Sequence, residues 1–307
     1  MDLNGHVLRS AQRLGPDTSV DEAMALVFRA AQEQWLKAVP AACTPRNAEG
    51  IHQLRVSLRR LRSGLSLLRR HIPQSQRRAL DAELKWLLDA LGPARDLDVF
   101  QHELLMPLSN KKSTKHLQVL IPAVAAARAA AQRKALAALT SNRHRKLLDD
   151  VAVWVETRRW RSGRVIKAPL AKPIGPVVRK LLNKQLGKAL KQTGRIKKLS
   201  VEDLHDLHID LKRIRYGIGH FKTALPKRTQ KLARILTGLQ DQLGHLNDAA
   251  NVAEIAARLA KTASTARDRQ RILSAGEKLA AYYSKTAADA WPDIKPRCKA
   301  LRKFEAI

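Results

Sequence analysis

Apolar residues recur at three- and four-residue spacing along nearly the whole chain, and the two-residue alternation of strands is almost absent. That pattern predicts an all-α protein. A hydroxyl cap followed by acids, Thr18-Ser19-Val20-Asp21-Glu22, opens a first helix expected to run to about Val39 and stop at Pro40. A Pro/Asn/Gly loop from Pro45 to Gly50 leads into a second helix, ended by Pro73. A third is expected from Gln74 to Leu91, where Gly92-Pro93 reads as a stop, with a short helix after Asp96. An Ala-rich helix follows from about Thr114 to Thr140, with a kink or late start at Pro122, and another from about Arg145 to Arg159. The stretch from Arg161 to Pro176 holds Gly163, Pro169, Pro173 and Gly175 and reads as a linker; its cations Arg161, Arg164, Lys167 and Lys172 could touch phosphate. Helices from Val177 to Gln192 and from Val201 to Leu225, stopped by Pro226, open the remainder.

Within this pattern one basic segment occurs twice. His52-Gln53-Leu54-Arg55-Val56-Ser57-Leu58-Arg59-Arg60-Leu61-Arg62 is matched 153 positions later by His205-Asp206-Leu207-His208-Ile209-Asp210-Leu211-Lys212-Arg213-Ile214-Arg215. Pro73 and Pro226 keep the same offset, and Leu91-Gly92-Pro93-Ala94-Arg95-Asp96 resembles Leu243-Gly244-His245-Leu246-Asn247-Asp248 at an offset of 152. Two motifs repeated in order suggest a duplicated half, hence two helical bundles about a pseudo-two-fold axis. The expected division is one repeat over 16–160, a linker over 161–175 and a second repeat over 176–300.

At about 100° per residue, His52, Arg55, Arg59, Arg62 and Arg69 share one sector of the first basic helix, and Leu54, Leu58, Leu61, Leu65 and Leu68 the adjoining one. In the second copy His205, His208, Lys212, Arg215 and Lys222 lie beside Leu207, Leu211, Ile214, Ile218 and Phe221. The apolar sector is core, and the other is a cationic track roughly 25 Å long at 1.5 Å per residue. Like charges at these spacings repel on an isolated helix. A merely solvated face would mix signs, yet no acid stands between Ile51 and Pro73. Gly64 and Gly217 also correspond; helix–helix packing accounts for them better than approach of a ligand.

The charge of the whole chain points the same way. Against 27 acids stand 58 Lys and Arg, a net charge of +31, which opposes compaction unless an anionic ligand is bound. Only 4% of residues are aromatic, which disfavours readers of single-stranded nucleic acid, whose bases stack on aromatic faces. Cys43 and Cys298 lack disulfide or metal spacing and are expected as free thiols of a cytoplasmic protein. The start, Met1 to His6, does not read as a signal peptide, and the least polar stretch, Leu117 to Leu139, is too broken by charge to span a bilayer. Asp96, Asp98 and Asp248 could hold Mg²⁺, but capping or pairing with the basic helices is the simpler reading; no metal or other cofactor is expected.

These residues together resemble the CHAD family, the conserved-histidine α-helical domain, whose pattern is a His-x-x-Arg-x-x-x-Arg/Lys-Arg-x-Arg helix in each of two repeats followed by Leu-Gly-x-x-x-Asp. The resemblance covers roughly residues 16 to 300. It implies two four-helix bundles with a basic channel between them, and binding of long-chain inorganic polyphosphate. Carried over residue by residue, it implies a binding set of His52, Arg55, Arg59, Arg60 and Arg62, then His205, Lys212, Arg213 and Arg215; the stripe geometry adds Arg69, His208 and Lys222. His208 stands where the family usually has Arg, and Gly219-His220 where it often has an acid. No Glu-x-Glu-x-Lys signature of a triphosphate-tunnel domain is found, so a stand-alone module is expected.

The leading expectation is therefore a non-catalytic polyphosphate-binding protein, cytoplasmic, with association with polyphosphate granules as the setting the resemblance implies. A nucleic-acid-binding protein using the same surface stands second. An enzyme stands third, for want of a phosphate-binding Gly-x-x-x-x-Gly-Lys loop, a His-Glu-x-x-His motif or a metal cluster. No membrane association is expected, and oligomeric state is open. If His52 and His205 donate to phosphate, binding strengthens as pH falls, because the anion favours the imidazolium. Affinity measured at pH 6 should exceed that at pH 8; equal affinities contradict this role.

Overall fold

The computed structural model describes residues 14–44, 47–109, 112–162, 170–304 and 306–307. Residues 163–169 of the expected linker, with Arg164 and Lys167, lie outside these, as do the N-terminal residues from Met1, Pro45 of the expected loop, and the side chains of His245 to Asp248. The helices are α1 (Val20–Cys43), α2 (Ala48–Leu67), α3 (Gln74–Val99), α4 (Leu120–Thr140), α5 (Asn142–Glu156), α6 (Ile174–Gly194), α7 (Val201–His220), α8 (Thr229–Ala260) and α9 (Ala266–Arg302). Among the described residues there is no strand, only an isolated bridge between Ser19 and Pro173, and no helix long and apolar enough to cross a membrane. The fold class is all-α, as the periodicity predicts.

Side-chain caps set the starts. Ser19 accepts from the Glu22 amide at 3.2 Å, Asn47 from Gly50 at 3.0 Å, and Ser200 and Asp203 form a reciprocal capping box at the head of α7. The stops are less faithful to local signals. α1 continues through Pro40 to Cys43, and α3 through Gly92-Pro93 to Val99. Both prolines are exposed, so the carbonyls they orphan, those of Leu36 and Asp89, belong to residues on the solvent side. Buried Leu91, Ala94 and Leu97 hold α3 in register across its proline. Tertiary packing outweighs propensity here. The short separate helix expected after Asp96 is absent: α3 passes into a π-helical stretch, Phe100–Leu105, and then Met106–Ser109. The Ala-rich segment takes the late start, with a 3₁₀ stretch before Leu120. α5 begins earlier than expected, at Asn142 on its Ser141 cap, and α7 ends earlier, at His220.

In chain order α1, α2, α3 and α4 pack each on the next, with α5 laid against α1, α3 and α4; α6, α7, α8 and α9 repeat the consecutive packing. α2 and α7 meet each other between the two groups. Their limits correspond, since 48 + 153 is 201 and 67 + 153 is 220. A second tie joins the groups at their starts: Val20 N donates to Lys172 O at 2.8 Å, Ile174 N to Thr18 O at 2.8 Å, and Gly175 N to Pro16 O at 2.9 Å. Beside it Asp21 accepts from Trp160 Nε1 at 2.8 Å and from Arg161 Nε at 2.9 Å, and also pairs with Arg158. These bonds hold the Asp21 carboxyl down to about 2 despite its burial. Trp160 also packs edge-on against Trp154, 4.8 Å between ring centres, which in turn meets Phe28 at 5.0 Å.

The apolar sectors of α2 and α7 face inward as expected. Leu54, Leu58, Leu61, Leu65 and Leu68, and Leu207, Leu211, Ile214, Ile218 and Phe221, are all buried. The glycines explain how closely the helices approach. A β-carbon on Gly64 would lie 2.9 Å from the Phe28 ring, and one on Gly217 2.6 Å from Leu182 Cδ2, so both serve helix packing. At Gly50 the clash would be with backbone, 2.2 Å from Ala41 O. Gly50→Ala should therefore lower stability by about 1–3 kcal/mol, the usual cost of forced overpacking, by splaying α2 from α1. Chemical unfolding of the variant tests this, and an unchanged midpoint would contradict it.

Candidate anion-binding cleft

Burying those leucines forces the opposite sectors of α2 and α7 into the space between the two helical groups. They line a cleft of about 830 Å³, together with α3 and α8. Arg55, Arg59 and Arg62 enter it from α2; His205, His208, Lys212 and Arg213 from α7. Arg77 and the carboxylates Asp81 and Asp96 come from α3, Gly244 and Asn251 from α8. A recess of about 360 Å³ shares Arg55, Arg59, Asp96 and Asn251 and adds His52, Arg95 and Arg258, together with the acid Glu254. A third hollow, about 500 Å³, shares Tyr216 with the cleft and carries Arg60, Arg215, His220 and Lys222.

The expected binding residues therefore divide. Arg55, Arg59, His205, His208 and Lys212 converge on the central cleft. Arg62 and Arg213 reach it already engaged: Arg62 makes a two-pronged pair with Asp81 at 2.8 and 3.1 Å, and Arg213 pairs with Asp210 at 3.0 Å. Arg60 points the other way and donates to Gln34 Oε1 at 2.6 Å. His52 and His205 line different, adjoining hollows. Arg69 leaves the track, because α2 ends at Leu67, and sits in an exposed 3₁₀ turn; Lys222, just past the end of α7 at His220, still lines the third hollow with Arg60 and Arg215.

The electrostatics at the centre are those of uncompensated positive charge. Burial pushes the Lys212 ammonium down to about 8, and the charges of Arg59 and Arg215 push the same way. Burial, then Arg59, lowers Arg55 to about 10, with Asp96 acting against them. His208 is held down to about 4 by burial, then by Lys212, His205, Arg215 and Arg59, so it is neutral near pH 7. His52 is lowered by burial, then by Arg95. Each of these groups would recover its proton affinity beside an anion. Among the described residues, His208 Nδ1 and Arg215 Nε are buried with no protein partner. Exposed surface pairs contribute little to such a balance; what matters is the half-buried cations with no carboxylate.

The Leu-Gly motif has a local purpose in the first group. Arg55 Nη1 donates to Leu88 O at 2.7 Å, and a β-carbon on Gly92 would stand 3.3 Å from that same nitrogen. Gly92 thus leaves room for the guanidinium. In the second group the residue at the Arg55 position is the shorter His208, and among the described residues nothing lies within 4 Å of where a β-carbon on Gly244 would be. At the second departure, His220 Nε2 meets Arg60 O at 3.1 Å, joining α7 to α2.

Asp98 is buried and paired with Arg128 rather than with a basic helix, while Asp96 lines the cleft. Among the described residues no three His, Cys, Asp or Glu side chains gather as a metal site. Sequence reasoning missed Arg77, Arg95 and Arg258 as lining residues. Arg95 stood inside the repeated Leu-Gly motif and could have been found there; Arg258 carries no local signal.

A helical protein with paired cationic helices facing across a cleft is the class this geometry defines. The CHAD domain family model matches residues 26–257, most of the chain, and the protein belongs to that family. The crystal structure of the CHAD domain from the plant Ricinus communis is similar, with a TM-score of 0.77 and 25% identity over 96% of this chain and 98% of that one. PptA from Streptomyces chartreusis shares the fold, with a TM-score of 0.68 and 19% identity over 92% of this chain and 100% of that one. No curated protein matches the sequence.

A cation held against like charges costs stability until an anion arrives. Lys212→Leu should therefore stabilise the free chain at pH 7 by on the order of 1–2 kcal/mol while weakening its hold on polyanions. Chemical unfolding without ligand is the check; a lower midpoint than wild type would contradict this reading of the cleft.

Proposed function

We propose that the protein is a non-catalytic binder of long-chain inorganic polyphosphate, held in the cleft between α2 and α7. The observation that carries this is the convergence of Arg55, Arg59 and Lys212 from the two helical groups on one hollow, with burial and mutual repulsion depressing Arg55 and Lys212. Arg suits two-pronged contact with phosphate oxygens and Lys acts as a point charge. Release of counterions from the polyanion drives association, so affinity falls steeply with salt. The hollows along α2 and α7 offer cations and few aromatic faces, which suits a ligand of phosphates without bases. Family membership supports the reading. In it, His205 and His52 serve as outer contacts, Arg60 and Arg215 continue the track into the third hollow, and Arg62 and Arg213 exchange their carboxylate partners for phosphate. Lys222 lines that same third hollow, and Arg69 lies outside the track.

In this proposal the two repeats, 16–160 and 176–300, act as one unit, since each supplies one basic helix. The cell interior, and the polyphosphate granule within it, is the setting the ligand implies. The competing reading is a nucleic-acid binder on the same surface.

The test is titration with long-chain polyphosphate, single-stranded RNA and duplex DNA at two salt concentrations, comparing wild type with an Arg55→Ala/Arg59→Ala/Lys212→Ala/Arg215→Ala variant. Tight polyphosphate binding, lost in the variant and weaker for nucleic acid, is expected, with no phosphate released with or without Mg²⁺. Equal binding of nucleic acid, an unchanged variant, or hydrolysis would contradict the proposal.

A further inference from the structure

A second cationic hollow lies at the far end of the α6–α9 group. It measures about 780 Å³ and is lined by Arg195, Lys197 and Lys198 from the turn between α6 and α7, and by Lys295, Lys299 and Arg302 from the last turns of α9. No Asp or Glu is among its lining residues, and none of the six cations has a carboxylate within ion-pair distance among the described residues. Its floor is apolar, with Ile196 and Cys298 buried. It shares no residue with the central cleft, and the acids Glu202, Asp203 and Asp206 on the first turns of α7 separate Lys198 from His205 in the chain.

A helix C-terminus attracts cations, and that accounts for Lys299 and Arg302 in the last turn of α9. It does not account for Lys197 and Lys295, whose side chains meet with no carboxylate between them, so that the neighbouring ammonium depresses Lys295 even at full exposure. Two elements that each bring three cations to one hollow make the arrangement of an anion site. Its volume of about 780 Å³ exceeds that of a single phosphate, and six cations from two elements line it, which fits a short run of linked phosphates.

We infer that this outer groove is a second site for a phosphate-bearing anion, most directly another segment of polyphosphate, which makes the protein bivalent toward its ligand. The identity of the anion rests on the proposed function; the existence of the site does not. A bivalent binder would hold two segments of a long chain, or two chains, and gain avidity without further contacts at the cleft.

The experiment is calorimetric titration with tripolyphosphate of four proteins: wild type, a cleft variant (Arg59→Ala/Lys212→Ala), an outer-groove variant (Lys197→Glu/Lys295→Glu/Lys299→Glu), and the two combined. The outer-groove residues are exposed, so the fold should tolerate the change; circular dichroism confirms it. Two equivalents per chain in wild type, one in each variant and none in the combination are expected. One equivalent lost only in the cleft variant overturns the second site and leaves the proposed function standing. One equivalent lost only in the outer-groove variant keeps the second site and overturns the cleft. A parallel arm uses phosphatidylglycerol vesicles. Vesicle binding lost in the outer-groove variant, with tripolyphosphate binding unchanged, assigns the groove to a lipid headgroup and overturns the polyphosphate assignment.

Discussion

The repulsion among Arg59, Lys212 and Arg215 is the interaction on which the rest of the structure turns. The leucine sectors of α2 and α7 must be buried, and burying them fixes where the cationic sectors go. Because the two helices meet each other between the helical groups, Arg55, Arg59 and Lys212 are brought to one hollow, with Arg215 in the neighbouring one. Burial, and then the neighbouring cations, hold the Lys212 ammonium down to about 8 and keep the His208 imidazole neutral near pH 7. Carboxylates relieve the repulsion only in part: Asp96 acts on Arg55, Asp81 holds Arg62 and Asp210 holds Arg213, while Lys212 and Arg59 have no ion pair among the described residues. A fold selected for stability alone would place an acid or a leucine at Lys212.

Holding like charges together requires a rigid frame. Close packing at three glycines supplies one part: a β-carbon would meet the α1 backbone at Gly50, the Phe28 ring at Gly64 and the Leu182 side chain at Gly217. The paired starts of α1 and α6, tied through Thr18, Val20, Lys172 and Ile174, supply another. The aromatic group of Phe28, Trp154 and Trp160, with Asp21 gripping Trp160, Arg158 and Arg161, locks α1 to the end of α5. None of these contacts touches the cleft, yet each resists the separation that the cleft charges favour.

Much of this was legible before any coordinates. Helical periodicity marks the fold class, and the apolar sectors of both basic helices are buried as the spacing predicts. The repeat at an offset of 153 identifies the two helices whose limits then correspond residue for residue. What local signals could not supply was orientation. Arg60 is matched by Arg213 in sequence, yet it faces Gln34 outside the cleft. Arg62 looks free along the helix and is taken by Asp81, a partner from another helix. Pro40 and Gly92-Pro93 read as stops and are not, because both prolines fall on solvent faces of helices that packing holds straight. The role of Gly92 became clear only with Arg55 in place beside it.

The central claim is that a buried-edge cation in this cleft lacks a counter-charge until a polyanion provides one. Its most direct test is a nitrogen-resolved NMR titration of the Lys212 side chain, identified by the loss of its signal in Lys212→Arg, in the free chain and with long-chain polyphosphate. A pKa of about 8 is expected in the free chain, moving back toward the ordinary lysine range when polyphosphate binds. An ordinary lysine value in the free chain, or a depressed value that polyphosphate leaves unchanged, would contradict it.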